Sequence, residues 1–499
     1  MNWCAVGRPA PMQVMTEGAL REPIRPSVVR ALLGLAAWPT AIILAAPAIF
    51  ALGAGDLPFA TRGGTAAAFF LLIAWICRGA RPSGVRRSEA RVAATLLYLL
   101  VPLGMTLPLA THPRLDLRGA LFESISAFTT TGLSVMDADG AAPALLFARS
   151  WLAWIGGLTA VALAVSVLLP PGASVDLSPQ AMPSLRGRLR RIGTAYLALT
   201  ALTTLALMTA GLPALRALLH AFSAVSTGGM APDPRGLTDL IPAARIAILC
   251  GALLGSVPLI WLSGAADADE RRLARWQGLA GLGVLGFATV FVAASMNHFG
   301  AFESGATRWD AASLAVSAQT TLGLAPLPPN SLDPSSKLAM CVTMACGGAF
   351  GSTTGGMKLL RLLILIAAIR RFVVRSALRR DAVLDLRVAG VRFDEEAVRR
   401  VLLVVVLFFV TVLLSWLPFV FAAKDPLDAL VTVVAATSNC AFSTGAPLAE
   451  LSPRLQALLM ADMLLGRLEF LAVLLVLYPG TWIGDWRSRA IAALEPGAR

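Results

Sequence analysis

The sequence predicts an all-α membrane protein in which about ten transmembrane helices build four similar units around a central pore. Of the 499 residues, 57% are hydrophobic and only 14% are charged, whereas a soluble domain carries about 25% charged residues. The chain also repeats a pattern of helix, half-length apolar stretch, turn and helix four times. The apolar content indicates a bilayer as the solvent, and the repetition indicates a symmetric arrangement.

Ten stretches are apolar over the ~20 residues that a helix needs to cross a hydrocarbon core of ~30 Å. They are predicted near residues 29–53, 60–78, 91–110, 147–170, 192–211, 241–263, 276–296, 336–368, 398–422 and 455–479. Arginines are concentrated in every second connection, for example at Arg86, Arg190 and Arg371. By the positive-inside rule these connections and both termini face the cytoplasm, so a multi-pass protein of the inner membrane is expected.

The composition argues against several other classes of protein. The net charge of +13 does not indicate nucleic-acid binding, because the basic residues form short runs between apolar stretches and not one continuous face. The six cysteines show no metal-ligand spacing and there are only three histidines, which leaves little material for a metal centre or for acid–base catalysis. We therefore expect no enzyme and no cofactor bound by this chain.

Each of the last four outward-facing connections holds an apolar stretch that is too short to span the membrane and ends in a turn rich in hydroxyl and small residues. The four stretches are FESISAFTTTGLSV (122–135), HAFSAVSTGGMAP (220–232), SLAVSAQTTLGLAPL (313–327) and VVAATSNCAFSTGAPL (433–448). Gly132, Gly228 and Gly323 follow one another at intervals of 96 and 95 residues. A single such turn is usually an ordinary loop, and only the repetition predicts a shared role.

Irregular backbone at membrane depth persists only where it is buried in protein or lines water. Four such turns around one axis would present carbonyl oxygens that replace the hydration shell of a monovalent cation, and glycine allows the positive φ angles that this requires. The first three turns predict these ion-binding residues: Thr130, Thr131, Gly132, Ser226, Thr227, Gly228, Thr321, Leu322 and Gly323.

Two further features fall within the apolar segments. The glycine-rich stretch 347–358 interrupts the eighth segment and differs from a phosphate-binding loop, because Met357 precedes Lys358 and no Ser or Thr follows it. The stretch is either a movable loop beneath the turns or a simple kink. Arg467 in the last segment is either a positive barrier to cations, a side chain that extends to the cytoplasm, or the partner of a carboxylate such as Asp462 or Glu469.

These patterns together resemble the TrkH/KtrB family, the membrane subunits of bacterial potassium uptake systems. The resemblance rests on FESISAFTTTG, RSWLAWIGGLTAVALAVSVLLP (149–170), GGAFGSTTGGMKLLR (347–361) and MLLGRLE (463–469). It implies a K⁺ selectivity filter built by the four turns, a homodimer, and a cytosolic nucleotide-binding regulatory subunit similar to TrkA. It also implies a gate made of Gly351, Ser352, Thr353, Gly355, Gly356, Lys358 and Arg467.

The two extra helices at the start of the chain resemble the longer TrkH arrangement. The expected units are therefore an N-terminal segment with two helices (1–90) and four pore repeats at 91–191, 192–275, 276–395 and 396–499.

Two positions depart from the family pattern. Leu322 stands where a threonine is expected, so that Leu322→Thr should sharpen selectivity. The fourth filter turn falls on Asn439, Cys440 and Ala441, with an alanine in place of glycine, unless Gly445 takes that role. Passage of Na⁺ beside K⁺ is left open by these departures. The alternative function is a secondary transporter of a small solute coupled to H⁺ or Na⁺.

Overall fold

The computed structural model describes residues 24–77, 85–113, 115–136, 138–168, 182–233, 236–301, 307–377, 385–422, 424–445 and 447–483. Some sequence-based predictions fall on residues outside these ranges. They concern the N-terminal segment to residue 23 and the ends of the second and fourth predicted spans. They also concern these arginines of the basic connections, on which the predicted orientation depends: Arg78, Arg81, Arg379, Arg380, Arg487 and Arg489.

The described part of the chain is almost entirely helical. The first five helices are α1 (Pro26–Gly53), α2 (Leu57–Cys77), α3 (Arg87–Leu109), α4 (Leu117–Phe128) and α5 (Pro143–Leu163), which a short π-helix (Ala164–Leu168) extends. They are followed by α6 (Met182–Thr209), α7 (Ala214–Val225), α8 (Pro242–Gly255), α9 (Leu259–Leu262), α10 (Ala268–His298), α11 (Arg308–Gln319), α12 (Pro334–Cys346) and α13 (Leu359–Ser376). The last are α14 (Glu395–Phe421), α15 (Pro426–Ser438), α16 (Pro453–Arg467), α17 (Leu471–Leu477) and α18 (Pro479–Ile483).

Seven helices in the described residues are long and apolar enough to cross a bilayer: α1, α2, α3, α5, α6, α10 and α14. The other three predicted spans (241–263, 336–368 and 455–479) are each divided into two helices. Only the glycine-rich break at 347–358 is visible in the sequence pattern. Pro258 lacks the N–H group that would continue α8, and Glu469 and Phe470 adopt positive φ angles of 58° and 56° that end α16.

Each unit holds one short helix between two longer ones. Helix α4 packs between α3 and α5, α7 between α6 and α8, α11 between α10 and α12, and α15 between α14 and α16. The units also contact one another in cyclic order, because α5 packs on α7, α8 on α11, α12 on α15 and α16 on α4. The last of these contacts closes a ring of four short helices. Helices α1 and α2 pack together beside α3, outside that ring.

A short hairpin interrupts the helical architecture between α13 and α14. Strands β1 (Leu386–Val388) and β2 (Val391–Phe393) pair antiparallel. Ala389 and Gly390 form the connection with φ angles of 55° and 82°, as in the tight turns that match strand twist. The hairpin adds a small sheet to the predicted all-α architecture, in the basic insert where the sequence pattern gave no strand signal.

Candidate functional site

All four short helices end in similar capped turns, of which the first, second and fourth make the same pair of backbone hydrogen bonds. In the first, the N–H of Thr130 donates to Ala127 O (2.9 Å) and that of Thr131 to Ser126 O (2.8 Å). These two bonds form a Schellman-type cap, which satisfies carbonyl groups that the helix leaves free. The corresponding pairs are Thr227 with Ala224 and Gly228 with Ser223 in the second turn, Thr321 with Ala318 in the third, and Asn439 with Ala436 and Cys440 with Ala435 in the fourth.

The residue that reverses each chain is left-handed and is not glycine. Thr130, Thr227, Thr321 and Asn439 have φ angles of 57°, 52°, 55° and 52°. A β-branched side chain is disfavoured in this region, and such strain is characteristic of functional sites. The Oγ1 atom of Thr130 is also buried without a hydrogen-bond partner among the described residues. A buried hydroxyl without a protein partner can bind a small polar ligand or an ion.

Immediately after these residues the four turns meet. A Cβ atom added to Gly132 would lie 2.4 Å from the carbonyl oxygen of Gly228 and 2.6 Å from the Cβ of Ala441. One added to Gly229 would lie 2.1 Å from the Cβ of Ala441, and one added to Gly323 would lie 2.3 Å from the backbone nitrogen of Ala441. Side chains larger than Ala441 have no space here, so backbone groups of distant parts of the chain face one another.

The backbone conformation corrects the register of the second turn. Gly132, Gly229 and Gly323 share positive φ angles of 79°, 62° and 77°, whereas Gly228 does not have a positive φ. Gly229 is therefore the counterpart of Gly132, and the glycine intervals are 97 and 94 residues. The equivalent triplet in the second turn is Thr227, Gly228 and Gly229, one residue later than predicted. Ser226 is instead the cap residue of α7.

The fourth turn follows the first of the two alignments that the sequence allowed. Ala441 lies against the other three turns, whereas Gly445 lies beside the side chain of Asp428 and donates its N–H to Asn330 Oδ1 (2.8 Å). Ala441 has a negative φ, so the fourth turn does not copy the backbone of the other three. The methyl group of alanine explains this difference, because it disfavours positive φ.

The side chain of Leu322 is fully buried in an apolar cluster with Leu207, Ala217 and Ile248. At the equivalent position of the first turn, the hydroxyl of Thr131 accepts from Asn439 Nδ2 (3.0 Å), so it too contacts protein. The increase in selectivity expected for Leu322→Thr stays a prediction.

A cavity of about 600 Å³ opens on the side of the turns opposite to the ends of the short helices. It is lined by Gly132, Gly229, Gly323 and Ala441, together with the residues that follow them. Arg149 also lines this cavity, and its Nε atom lies 2.9 Å from a carboxylate oxygen of Glu123. This ion pair was not predicted from the sequence. Glu123 also accepts from the N–H of Val135 (2.7 Å), so this pair holds the segment that leaves the first turn.

The glycine-rich loop lies directly against the other side of the turns. The N–H of Gly355 donates to Thr321 Oγ1 (2.9 Å) and that of Gly356 to Ser438 O (3.0 Å). Thr353 Oγ1 donates to the carbonyls of Val225 and Gly255, both at 3.0 Å. The loop therefore contacts three of the four units and is not a simple kink in one helix. Gly351 has a φ of 77° and Ser352 bonds Thr354 within the loop.

Two cationic side chains, the buried Arg467 and the half-buried Lys358, bind the same part of this loop. Arg467 Nη1 donates to Thr353 O (2.9 Å) and to Thr354 O (3.4 Å). Lys358 Nζ donates to Thr354 O as well. The sequence also allowed Arg467 to pair with a carboxylate or to extend to the cytoplasm. The structure instead pairs Glu469 with Arg361 at 2.5 Å and Asp462 with Ser415 at 2.7 Å, and Arg467 is only 7% exposed.

The close approach of each short helix to its neighbour depends on glycines that periodicity did not single out. A Cβ atom at Gly156 would lie 2.0 Å from Phe128 O, one at Gly255 would lie 2.6 Å from Val225 O, and one at Gly466 would lie 2.0 Å from Thr437 O. Phe128, Val225 and Thr437 occupy equivalent positions, two residues before the left-handed residue of each turn. In the third unit Gln319 occupies this position, and its side chain donates to Gly347 O.

The long apolar helices define the class as a membrane protein, in which four turns from distant parts of the chain meet beside a cavity. The family model TrkH, described as a cation transport protein, matches residues 74–238 and 278–479. The chain belongs to the TrkH family, and hence to the transport proteins and not to the enzymes.

Two named relatives are similar to this chain in sequence, and one solved structure is similar to it in fold. The Trk system potassium uptake protein TrkI of Halomonas elongata is 27% identical over 433 residues, which cover 82% of this chain and 87% of the relative. The Trk system potassium uptake protein TrkH of Vibrio parahaemolyticus is 26% identical over 492 residues, which cover 91% of this chain and 99% of the relative. The crystal structure of the potassium transporter TrkH from Vibrio parahaemolyticus matches with a TM-score of 0.77 at 23% identity, over 92% of this chain and all of that one.

Proposed function

We propose that this protein takes up potassium ions across the inner membrane through a gated, channel-like pore. The observation that carries the proposal is the meeting of four capped turns from distant parts of the chain at Gly132, Gly229, Gly323 and Ala441. Side chains occupy very little of the place where the turns meet, and this suits a ligand that is held by backbone groups. The names of the relatives, which are potassium uptake proteins, support K⁺ as the ion.

The electrostatics of the ring suit a cation. Each short helix runs toward the turns and presents its C-terminal end, which carries a partial negative charge of about half an electron. Four such ends surround one point. Carbonyl oxygens of the turns, together with Thr130 Oγ1, would replace water around the ion. The residues proposed to bind K⁺ are the predicted filter residues, with Gly229 added to the second turn and with Ser226 retained only as the cap of α7.

The glycine-rich loop is proposed as the gate. It lies against the turns on the side away from the cavity, and Arg467 and Lys358 hold the carbonyls of Thr353 and Thr354. Two positive charges next to the passage oppose a cation, and the loop fills the space through which the ion would leave. Opening would require this loop to give up its hydrogen bonds to Thr321 Oγ1 and Ser438 O, and those of Thr353 to Val225 O and Gly255 O.

The driving force for ion uptake follows from the orientation that the basic connections predict. With both termini in the cytoplasm, the cavity faces the outside and the glycine-rich loop faces the inside. An inside-negative potential supplies about 2.3 kcal/mol per 100 mV for each charge that enters, enough for accumulation. A homodimer, and a TrkA-like cytosolic subunit that controls the gate, are proposed from the family resemblance. The four pore units are proposed at 91–191, 192–275, 276–395 and 396–499.

Potassium-limited growth of an uptake-deficient strain tests the proposal. The wild-type chain should restore growth and rubidium uptake, and Gly132→Asp should abolish both, because a side chain at residue 132 collides with Gly228 and Ala441. Gly140→Asp is the matched control, since Gly140 also has a positive φ of 70° but has open space around it. Equal rescue by Gly132→Asp and Gly140→Asp at equal membrane expression would exclude the proposed pore.

A further inference from the structure

A groove lies at the far end of α13, away from the four turns and not used by the transport mechanism. It encloses about 370 Å³ between α13, the hairpin and the start of α14. Ala368, Phe372 and Leu402 form its apolar part, and Arg371, Arg375 and Arg399 form its charged part. The groove thus joins an apolar wall to three guanidinium groups within one small volume.

The charges of the groove are not balanced by the protein. Glu395 is its one acidic lining residue among those described; it is 76% exposed and lies 3.3 Å from Arg371. The structure gives Arg375 and Arg399 no acidic partner among the described residues, whereas the neighbouring Arg400 pairs with Glu396. The lining therefore has an excess of positive charge, which is the condition for binding an anion.

With the glycine-rich loop near the middle of the bilayer, as the proposed pore requires, the groove would lie at the boundary between the hydrocarbon core and the headgroups. Helix α13 begins at Leu359, next to the loop beneath the turns, and at 1.5 Å per residue Arg371 lies about 18 Å further along its axis. Half of a hydrocarbon core is about 15 Å. The same helix exposes Ile366 (62%), Ile369 (64%) and Phe372 (77%), as a surface in contact with acyl chains would.

We propose that this groove binds one anionic phospholipid of the inner leaflet. Its phosphate would accept hydrogen bonds from Arg371, Arg375 and Arg399, since a planar guanidinium matches the geometry of phosphate oxygens. An acyl chain would lie along Phe372 and Leu402. Basic pockets between transmembrane helices on the cytoplasmic side are suited to anionic headgroups. The identity of the leaflet rests on the orientation proposed above.

A bound lipid at this place would act on the element that continues the glycine-rich loop. Lys358 immediately precedes α13, and the groove joins α13 to α14. A lipid that bridges the two helices would fix the position of α13 and, through it, the loop. We therefore expect rubidium uptake to depend on the anionic lipid content of the membrane through this groove.

The test is native mass spectrometry of the full-length protein from vesicles of dioleoyl phosphatidylglycerol and dioleoyl phosphatidylcholine. The wild type should retain phosphatidylglycerol, and Arg371→Gln/Arg399→Gln should weaken its binding by about tenfold or more. Arg387→Gln/Arg392→Gln is the matched control. It removes the same charge from side chains that are 61% and 71% exposed and are paired with Asp385 on the hairpin, and it should retain the lipid.

Ala368→Trp tests the apolar part without a change of charge, because the indole would fill the groove. This variant should lose the lipid while keeping its thermal stability. Equal loss of phosphatidylglycerol in both double variants would overturn the proposal in favour of general surface charge. Displacement of the lipid by millimolar inorganic phosphate would overturn it in favour of a free-phosphate site. A change of oligomeric state in Ala368→Trp would assign the groove to a second copy of the chain.

These outcomes are separable from those of the proposed transport function. Lipid retention is measured without ion flux, so it can fail while the wild-type chain still restores growth. Conversely, Gly132→Asp should abolish uptake and leave phosphatidylglycerol bound, since the groove and the turns share no residue.

Discussion

Arg467 makes its contacts with backbone oxygens of the loop and not with a carboxylate, which defines what its removal should do. Arg467→Ala removes the hydrogen bonds to Thr353 O and Thr354 O and one positive charge beside the passage. A hydrogen bond from a charged group contributes about 1.5–3 kcal/mol, which corresponds to roughly a tenfold or larger shift toward an open loop. Basal rubidium uptake into proteoliposomes should rise accordingly.

The matched variant for this prediction is Arg467→Lys, which keeps the charge and can donate to one carbonyl at a time. It should lie between wild type and Arg467→Ala in basal uptake. If Arg467→Ala transports no more rubidium than the wild type at equal reconstitution, the arginine does not restrain the loop, and its role would be confined to folding.

Ala441 makes the backbone of the fourth turn differ from that of the other three, and a glycine at this position should remove the difference. Ala441→Gly removes the methyl group that crowds Gly132 and Gly229 and permits the positive φ of the other three turns. A left-handed conformation disfavours non-glycine residues by about 1–2 kcal/mol. We expect the ratio of K⁺ to Na⁺ flux to increase by roughly fivefold or more.

Competition flux with the purified protein measures this ratio. Ala449→Gly, at an exposed alanine outside the ring, provides the control for a general effect of a new glycine and should leave the ratio unchanged. A ratio for Ala441→Gly that equals that of wild type would mean that the fourth turn does not contribute to selectivity.

Single residues also show where prediction from the sequence ends. The types of residue in the turns, small and hydroxyl-bearing, were sufficient to locate all four of them. The residue types do not predict the conformations of the turns. Thr130, Thr227 and Thr321 adopt positive φ angles that only the surrounding structure can impose. The same limit explains the shift from Gly228 to Gly229: with two adjacent glycines, the sequence cannot say which one takes the positive φ.

At the level of elements, the contact between each short helix and the helix that follows it depends on glycine. Gly156→Ala would place a Cβ atom 2.0 Å from Phe128 O, where the backbone of α4 cannot move without disturbing the first turn. Such overpacking destabilises by about 1–3 kcal/mol. We expect a lower melting temperature in detergent and loss of rubidium uptake.

Gly283→Ala serves as the control on α10, because nothing lies within 4 Å of its added Cβ atom. Alanine favours a helix over glycine by about 1 kcal/mol, so this variant should melt at the same or a higher temperature. Equal melting temperatures for Gly156→Ala, Gly283→Ala and wild type would show that α4 and α5 are not in the close contact described.

The helices themselves were predictable to different degrees. Length and hydropathy located every spanning segment, since a bilayer demands about 20 apolar residues. Hydropathy does not report where a helix stops within an apolar run, so the end of α8 at Gly255, before Pro258, and that of α16 at Arg467, before Glu469 and Phe470, were missed. The hairpin between α13 and α14 was missed because three-residue strands are too short to show a period.

For the whole molecule, the central feature is closure of the ring by α16 on α4, helices that are more than 300 residues apart in the chain. Repetition in the sequence predicts equivalent units, but it does not state which unit neighbours which. The cyclic order emerges from close approaches between units, such as Gly132 against Gly228 O, and from bonds between units, such as Asn439 Nδ2 to Thr131 Oγ1. The fourth turn thereby contacts the first.

Because four remote segments share one ion site, binding of the ion should stabilise the whole molecule. A ligand that binds only the folded state stabilises it by RT ln(1 + [L]/Kd), about 2.7 kcal/mol at a concentration of 100 Kd. The melting temperature of the purified protein should therefore rise with KCl relative to choline chloride at equal ionic strength. Thr130→Val keeps a β-branched side chain but removes the unpartnered hydroxyl, and it should reduce this rise. Thr159→Val, whose hydroxyl bonds Ile155 O within α5, should not. Identical melting in KCl and choline chloride would contradict an ion held jointly by the four turns.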